Sequence, residues 1–229
     1  MSVIKQITSK GMGYMMDPVW QCMYFQGTTF VVRLTLGPES VAAFNTIRTA
    51  CRSVSQIFNV VNGSIFPELQ YEYGQGNMQT VHRLFRLSVL SSMIVGVIGT
   101  IFLSFFGLEL YNWWTQSQLS VTSEIWYTFV VGILFNAVWW TAMVVYQVIN
   151  KPYHFAIAST ITASLSVGAC YILAMYLGLW GAALGVLLFE LIMMIFVLPD
   201  SCRLFGMKTI ELFSHIKEEC VLIKKKISK

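Results

Sequence analysis

The sequence predicts an all-α protein, an integral membrane bundle of six transmembrane spans, and three observations carry that expectation. The 229 residues are 56% hydrophobic and only 11% charged, about half the charge of an ordinary soluble chain. Apolar runs of about 20 residues, the length that crosses a bilayer, recur six times along the chain. Where polar residues enter these runs they return at steps of three and four, which is the period of a helix and not the alternation of a strand.

In chain order, the opening MSVIKQITSKGMG has no apolar core, so no cleavable signal peptide is expected and residues 1–13 read as a cytoplasmic lead-in. The six-span bundle then covers 14–200. Its first span, near 14–36, contains Asp17-Pro18, expected to cap or kink it, and Arg33 close to its far end. Gly37-Pro38-Glu39-Ser40 supplies a turn and a helix start, with Ser40 or Glu39 able to cap, so spans one and two form a tight hairpin. The second span, near 40–66, is followed by PELQYEYGQGNMQTVHRLFR, which opens on a proline and reads as the longest polar surface loop.

The third span, near 87–107, has no charge. The connection LELYNWWTQSQLSVTSE after it places Tyr111, Trp113 and Trp114 where a membrane interface suits them. The fourth span runs near 125–149, and Asn150-Lys151-Pro152 breaks the chain before a fifth, near 153–177, rich in alanine, serine and threonine. A turn at Gly178 to Gly181 leads into the sixth, near 179–198, where Gly181, Ala182 and Gly185 permit close helix contact. The last segment, 201–229, is a basic cytoplasmic tail ending in a lysine cluster and suited to lie on an anionic inner leaflet.

Lysine and arginine fall on alternate connections only. Lys5 and Lys10, Arg83 and Arg86, Lys151, and Arg203 onward flank one side of the spans, whereas the opposite loops carry Glu39 and Glu109. The chain therefore reads as a multi-pass protein with both termini cytoplasmic. Five dispersed cysteines, Cys22, Cys51, Cys170, Cys202 and Cys220, form neither a zinc pattern nor a disulfide framework. No metal, cofactor or nucleic-acid partner is expected. His82, His154 and His215 read as solvated, and Gly74-Gln75-Gly76 as a turn without the pattern of a phosphate loop.

The informative stretch is the second span, ESVAAFNTIRTACRSVSQIFNVVNGSIF. Asn45, Arg48, Arg52, Ser55, Asn59 and Asn62 share one helical face, and apolar residues fill the others. An arginine at the centre of a lone membrane helix costs roughly 2.5–3.5 kcal/mol, so this stripe must face water, protein or an anion. Arg48 and Arg52, one turn apart, suit a phosphate or pyrophosphate clamp through paired charge-assisted hydrogen bonds, with Asn45, Ser55 and Asn59 as polar company. The alternative is an internal salt bridge to Asp17, Glu39 or Glu190. Arg33 either joins the site or snorkels to the interface. Glu190, within GVLLFELIMMIF, either carries a coupling proton, pairs with an arginine or lies near the inner surface. Trp139-Trp140 reads as packing or lipid-facing bulk.

The run FQGTTFVVRLTLGPESVAAFNTIRTACRS, followed by IFPELQYEYGQGNMQTVHRLFRLS and later by WGAALGVLLFELIMMIFVLP, resembles bacterial polysaccharide flippases, the O-antigen and capsule translocases of the multidrug/oligosaccharidyl-lipid/polysaccharide exporter superfamily. Such proteins are built as two related six-span bundles, so the resemblance implies the C-terminal six-span half of a 12-span transporter. It further implies a cationic cavity for undecaprenyl-pyrophosphate-linked oligosaccharide in the bacterial inner membrane, lined by Arg48, Arg52 and Arg33, and a second copy or a separate N-terminal half as partner beside the membrane lipids. Three other readings stand beside it. A drug/cation antiporter of the same superfamily conflicts with an arginine stripe. A non-transporting six-span scaffold or partner subunit would use the arginines only to hold helices together. An enzyme of glycan transfer would need acidic or histidine residues in a larger outer loop, and only Glu109 and Glu124 are there, so no enzymatic role is expected.

Overall fold

The computed structural model of the chain describes residues 3–119 and 121–214, and among them every regular element is helical. In order these are α1 (Val3–Leu36), α2 (Pro38–Gly74), α3 (Met78–Phe102), α4 (Leu108–Trp114), α5 (Ser123–Ala142), α6 (Val144–Val148), α7 (Pro152–Leu204) and α8 (Glu211–Ser214). A five-residue π turn, Leu103–Gly107, joins α3 to α4 as one continuous rod. Three rods are long and apolar enough to cross a membrane: Met78–Trp114, Ser123–Val148 and Pro152–Leu204, with mean hydropathies of 2.2, 1.8 and 2.5. α1 and α2 are long enough, but polar residues interrupt them.

α7 would be about 80 Å long if straight, far more than the ~30 Å of a bilayer core. It is not straight. Gly178 adopts φ 65° and ψ −144°, a conformation open in practice to glycine alone, and the helix doubles back there. The first arm, 152–177, and the second, 179–204, then touch along their length. Ser166 Oγ donates to the Gly185 carbonyl at 2.7 Å, and a methyl group placed on Gly185 would stand 2.6 Å from Cys170 Cα. Ser159, Thr162, Ala163, Ser166 and Cys170 are all buried on the first arm. This is the small-residue packing that membrane helices use where apolar burial gives no drive.

α1 lies against the first arm, with Gly27 beside Val167 and Gly13 beside Pro152. α5 lies against the second, where Trp180 Nε1 donates to Thr128 Oγ1 at 3.2 Å and Ser201 Oγ to the Ala142 carbonyl at 2.9 Å. α3 closes on α2 and α5 through Gly99, which faces Val54, and Gly96, which faces Ala137. The faces left outward are apolar: Ile94, Ile98 and Ile101 on α3 with Phe105 in the π turn, and Ile157, Ile161 and Leu165 on the first arm, are exposed at steps of three and four.

The basic connections gather at one end. Tyr14 Oη donates to Asn150 Oδ1 at 3.3 Å, His82 Nε2 lies 2.7 Å from the Phe205 carbonyl, and Tyr73 and Phe85 pack on the Phe205 ring. His82 is thus tied into the bundle, not solvated.

Several local expectations need correcting. No loop begins at Pro67: α2 continues through it to Gly74, and only 75–77 turn before Asn77 Oδ1 caps α3 on the Thr80 amide. Pro67 has no N–H for the Gly63 carbonyl, and both residues are exposed, so the carbonyl it leaves unmatched lies on an outer face of the helix. Pro18 likewise sits inside α1 without ending it, and Asp17 takes the Trp20 indole N–H at 3.4 Å. Neither Ser40 nor Glu39 caps α2. Gly37, at φ 86°, leads directly into Pro38 at the first turn, and Ser40 Oγ donates backward to the Leu36 carbonyl at 3.1 Å. Beyond Leu204 the described chain forms a turn and α8, while the lysine cluster and His215 lie outside the described residues.

Candidate functional site

A cavity of about 80 Å³, open to the outside, lies between α1, α2, α5 and the second arm of α7. Its position follows from side-chain size. α2 offers serine, glutamine and asparagine toward the middle of the bundle, and α5 offers Gly132, so the walls cannot close as they do between the two arms of α7.

Arg48, Arg52, Ser55 and Asn59 line this cavity together with Glu190. Arg33 and Asn45 do not. Arg33 is exposed in the last turn of α1, and Asn45 is committed to a neighbour. The two lining arginines have different tasks. Arg48 Nη1 donates to the Phe25 carbonyl at 3.2 Å and Thr28 Oγ1 at 3.0 Å, and its Nη2 to Thr29 Oγ1 at 2.9 Å and Asn45 Oδ1 at 2.6 Å. These are four neutral acceptors, three of them on α1. The acceptors are freed by the hydroxyls of Thr28 and Thr29, which fold back onto the Tyr24 and Phe25 carbonyls as threonines in helices do. Arg48 therefore fastens the α1–α2 hairpin.

Arg52, one turn on, lies over the Phe25 ring with Cζ 4.2 Å from its centroid. Among the described residues its guanidinium makes no hydrogen bond, so all five N–H donors remain for an occupant. A cation over an aromatic face is held without using those donors.

Glu190 forms the opposite wall. Its Oε1 accepts from the Tyr24 hydroxyl at 3.2 Å, and its Oε2 accepts from Asn136 Nδ2 at 3.1 Å and Trp139 Nε1 at 2.7 Å. Three neutral donors from α1 and α5 hold it, and no arginine hydrogen-bonds it among the described residues. Asn136 Oδ1, beside it, is buried with no partner among the described residues. Around these groups Trp20, Tyr24, Trp139 and Phe189 stack edge to face and ring to ring. Asn59 is held by Gln56 and by Trp140, whose indole donates to Asn59 Oδ1 at 2.7 Å. Asn62 donates to the Trp140 carbonyl at 3.0 Å.

Sequence reasoning passed over Tyr24, Asn136, Trp139 and Trp140. A signal was present: Asn136, Trp139 and Trp140 stand at i, i+3 and i+4 on α5, the same spacing that exposed the α2 stripe. Trp139 is core packing, one of the two readings the sequence offered, and both indoles also line the cavity. Set against known families, curated proteins and solved structures, the chain matches none of them.

Proposed function

We propose that the protein takes part in moving an undecaprenyl-pyrophosphate-linked oligosaccharide repeat unit across the bacterial cytoplasmic membrane for O-antigen, capsule or exopolysaccharide synthesis, as a half-length or truncated flippase. The observation that carries this reading is Arg52: an exposed guanidinium at the mouth of a cavity in a largely apolar bundle, held over the Phe25 ring and with no hydrogen bond among the described residues. A guanidinium at membrane depth is costly unless it faces water or an anion, and guanidinium matches phosphate oxygens two at a time. The amide and indole groups on the other walls suit hydroxyl-rich sugar rings.

In this reading α1 and α2, the rods Met78–Trp114 and Ser123–Val148, and the two arms of α7 make six crossings. The end that collects Arg83, Arg86, Lys151 and Arg203 faces the cytoplasm. One bundle supplies one side of an alternating path, so a second copy or a separate N-terminal half completes it. A drug/cation antiporter finds support in Glu190 and its aromatic surroundings, and Arg52 on the same cavity opposes it.

The test is cysteine labelling in a version whose native cysteines are replaced. Ser55→Cys and Asn59→Cys should react with a membrane-impermeant thiol reagent in opened vesicles, whereas Phe58→Cys, which is fully buried, should not. A short-chain polyprenyl pyrophosphate should protect Ser55→Cys, and Arg52→Gln should abolish protection. Labelling that the pyrophosphate leaves unchanged would remove the anion from the cavity and this function with it.

A further inference from the structure

Building on that reading, we infer that the headgroup entering the cavity carries a positively charged amino group besides its phosphates, and that Glu190 is the counter-ion for it. Charge balance is the first argument. Arg48 and Arg52 against Glu190 leave the walls with one positive charge in excess. A pyrophosphate esterified at both ends brings two negative charges. With a neutral sugar the loaded cavity would hold one unpaired negative charge in apolar surroundings, which is expensive. A single ammonium group closes the balance.

Hydrogen bonding is the second argument, and it is independent of the charge count. Every contact that Glu190 makes is from a donor: the indole N–H of Trp139 and the amide N–H of Asn136 on Oε2, and the Tyr24 hydroxyl on Oε1. The indole and the amide nitrogen have nothing to accept with, so Oε2 is built to be a bare carboxylate oxygen. Beside it Asn136 Oδ1, buried and without a partner, is one more acceptor. An acceptor-rich corner ringed by Trp20, Trp139 and Phe189 is the chemistry that recognises an ammonium, through a carboxylate, an amide oxygen and aromatic faces together. Arg52 lies on the wall opposite, so phosphate and amine would be read at separate places and the pair fixes the orientation of the headgroup.

The experiment compares two probes on the full chain in nanodiscs: citronellyl pyrophosphate linked to glucosamine, with a free amine, and the same compound N-acetylated, with a neutral amide. Tryptophan fluorescence reports binding, since three indoles line the cavity. The free amine should bind at least about tenfold more tightly than the amide. Glu190→Gln should erase that preference, because the free amine loses its counter-ion while the acetylated probe no longer meets a negative wall, and Arg52→Gln should weaken both probes alike. Equal affinity for the two probes on the unaltered protein overturns the inference, and this arm needs no variant to fold. A preference that survives Glu190→Gln overturns it as well. Binding of both probes that depends on Arg52 but ignores the amine leaves the flippase reading standing alone, whereas no binding of either probe removes both.

Discussion

Two helical hairpins of this chain, α1–α2 and the two arms of α7, are built on opposite principles. Each reverses at a glycine with positive φ, Gly37 at 86° between α1 and α2, and Gly178 at 65° within α7. Beyond the turn they differ. The arms of α7 meet through glycine, alanine, serine and cysteine, close enough that Gly185 has no room for a methyl group. The arms of the first hairpin are joined by polar contacts, an arginine that reaches across to the α1 backbone and hydroxyls and a hydrogen bond from Thr29 to Asn45. A membrane bundle can thus be closed by removing side chains, which leaves no space, or by a polar strut, which leaves a cavity next to it. The cavity lies where the strut is.

The largest effect should come from filling the tight hairpin. Gly185→Leu would force the arms apart and should destabilise the protein by more than about 3 kcal/mol, read as loss of the monodisperse species on heating in detergent. Survival of the bundle would show that the α7 contact is not what closes it. Arg48→Leu comes next. It removes four hydrogen bonds, although Thr29 still donates to the Phe25 carbonyl and to Asn45, and should cost about 2–3 kcal/mol, with the α1–α2 end becoming the first to exchange its amide hydrogens.

Arg52→Leu sharpens the contrast, because the neighbouring arginine holds nothing in place. Its stability should stay within about 0.5 kcal/mol of the unaltered protein, although pyrophosphate protection of the cavity is lost. Equal losses from the two arginines would collapse the distinction between strut and binding group. The smallest effect is expected for Ser166→Ala, which removes the single hydrogen bond to the Gly185 carbonyl and should cost about 0.6 kcal/mol by thermal shift, since packing and not polarity holds that hairpin.

Much of this was legible before any coordinates. The helical class, the turns at Gly37 and Gly178 and the polar stripe on α2 are local properties: they depend on the period of side chains along one helix and on the backbone freedom of single residues. Pro67 shows where local reasoning fails. A proline after a polar shift reads as a stop, yet α2 continues through it to Gly74, with the one carbonyl it leaves unmatched, that of Gly63, on an exposed face. Trp139 and Trp140 fail for another reason. An indole on an apolar run looks like bulk until a partner from a distant segment, Glu190 or Asn59, meets its N–H.

The sequence alone determined that the chain is helical and largely apolar, and that a cationic stripe runs along one face of α2, because these follow from composition and a 3.6-residue period. Only the tertiary structure decided what each charge on that stripe does. Arg48 and Arg52 are equivalent by spacing. α1 crosses α2 at the height of Arg48, so its acceptors engage that arginine, and Arg52 one turn later meets only the Phe25 ring and open space. Glu190 became a wall of the same cavity because the break at Gly178 folds the second arm back toward α1 and α5. Which polar groups are satisfied and which are left for a ligand is a property of contacts between segments far apart in the chain, and no periodicity encodes it.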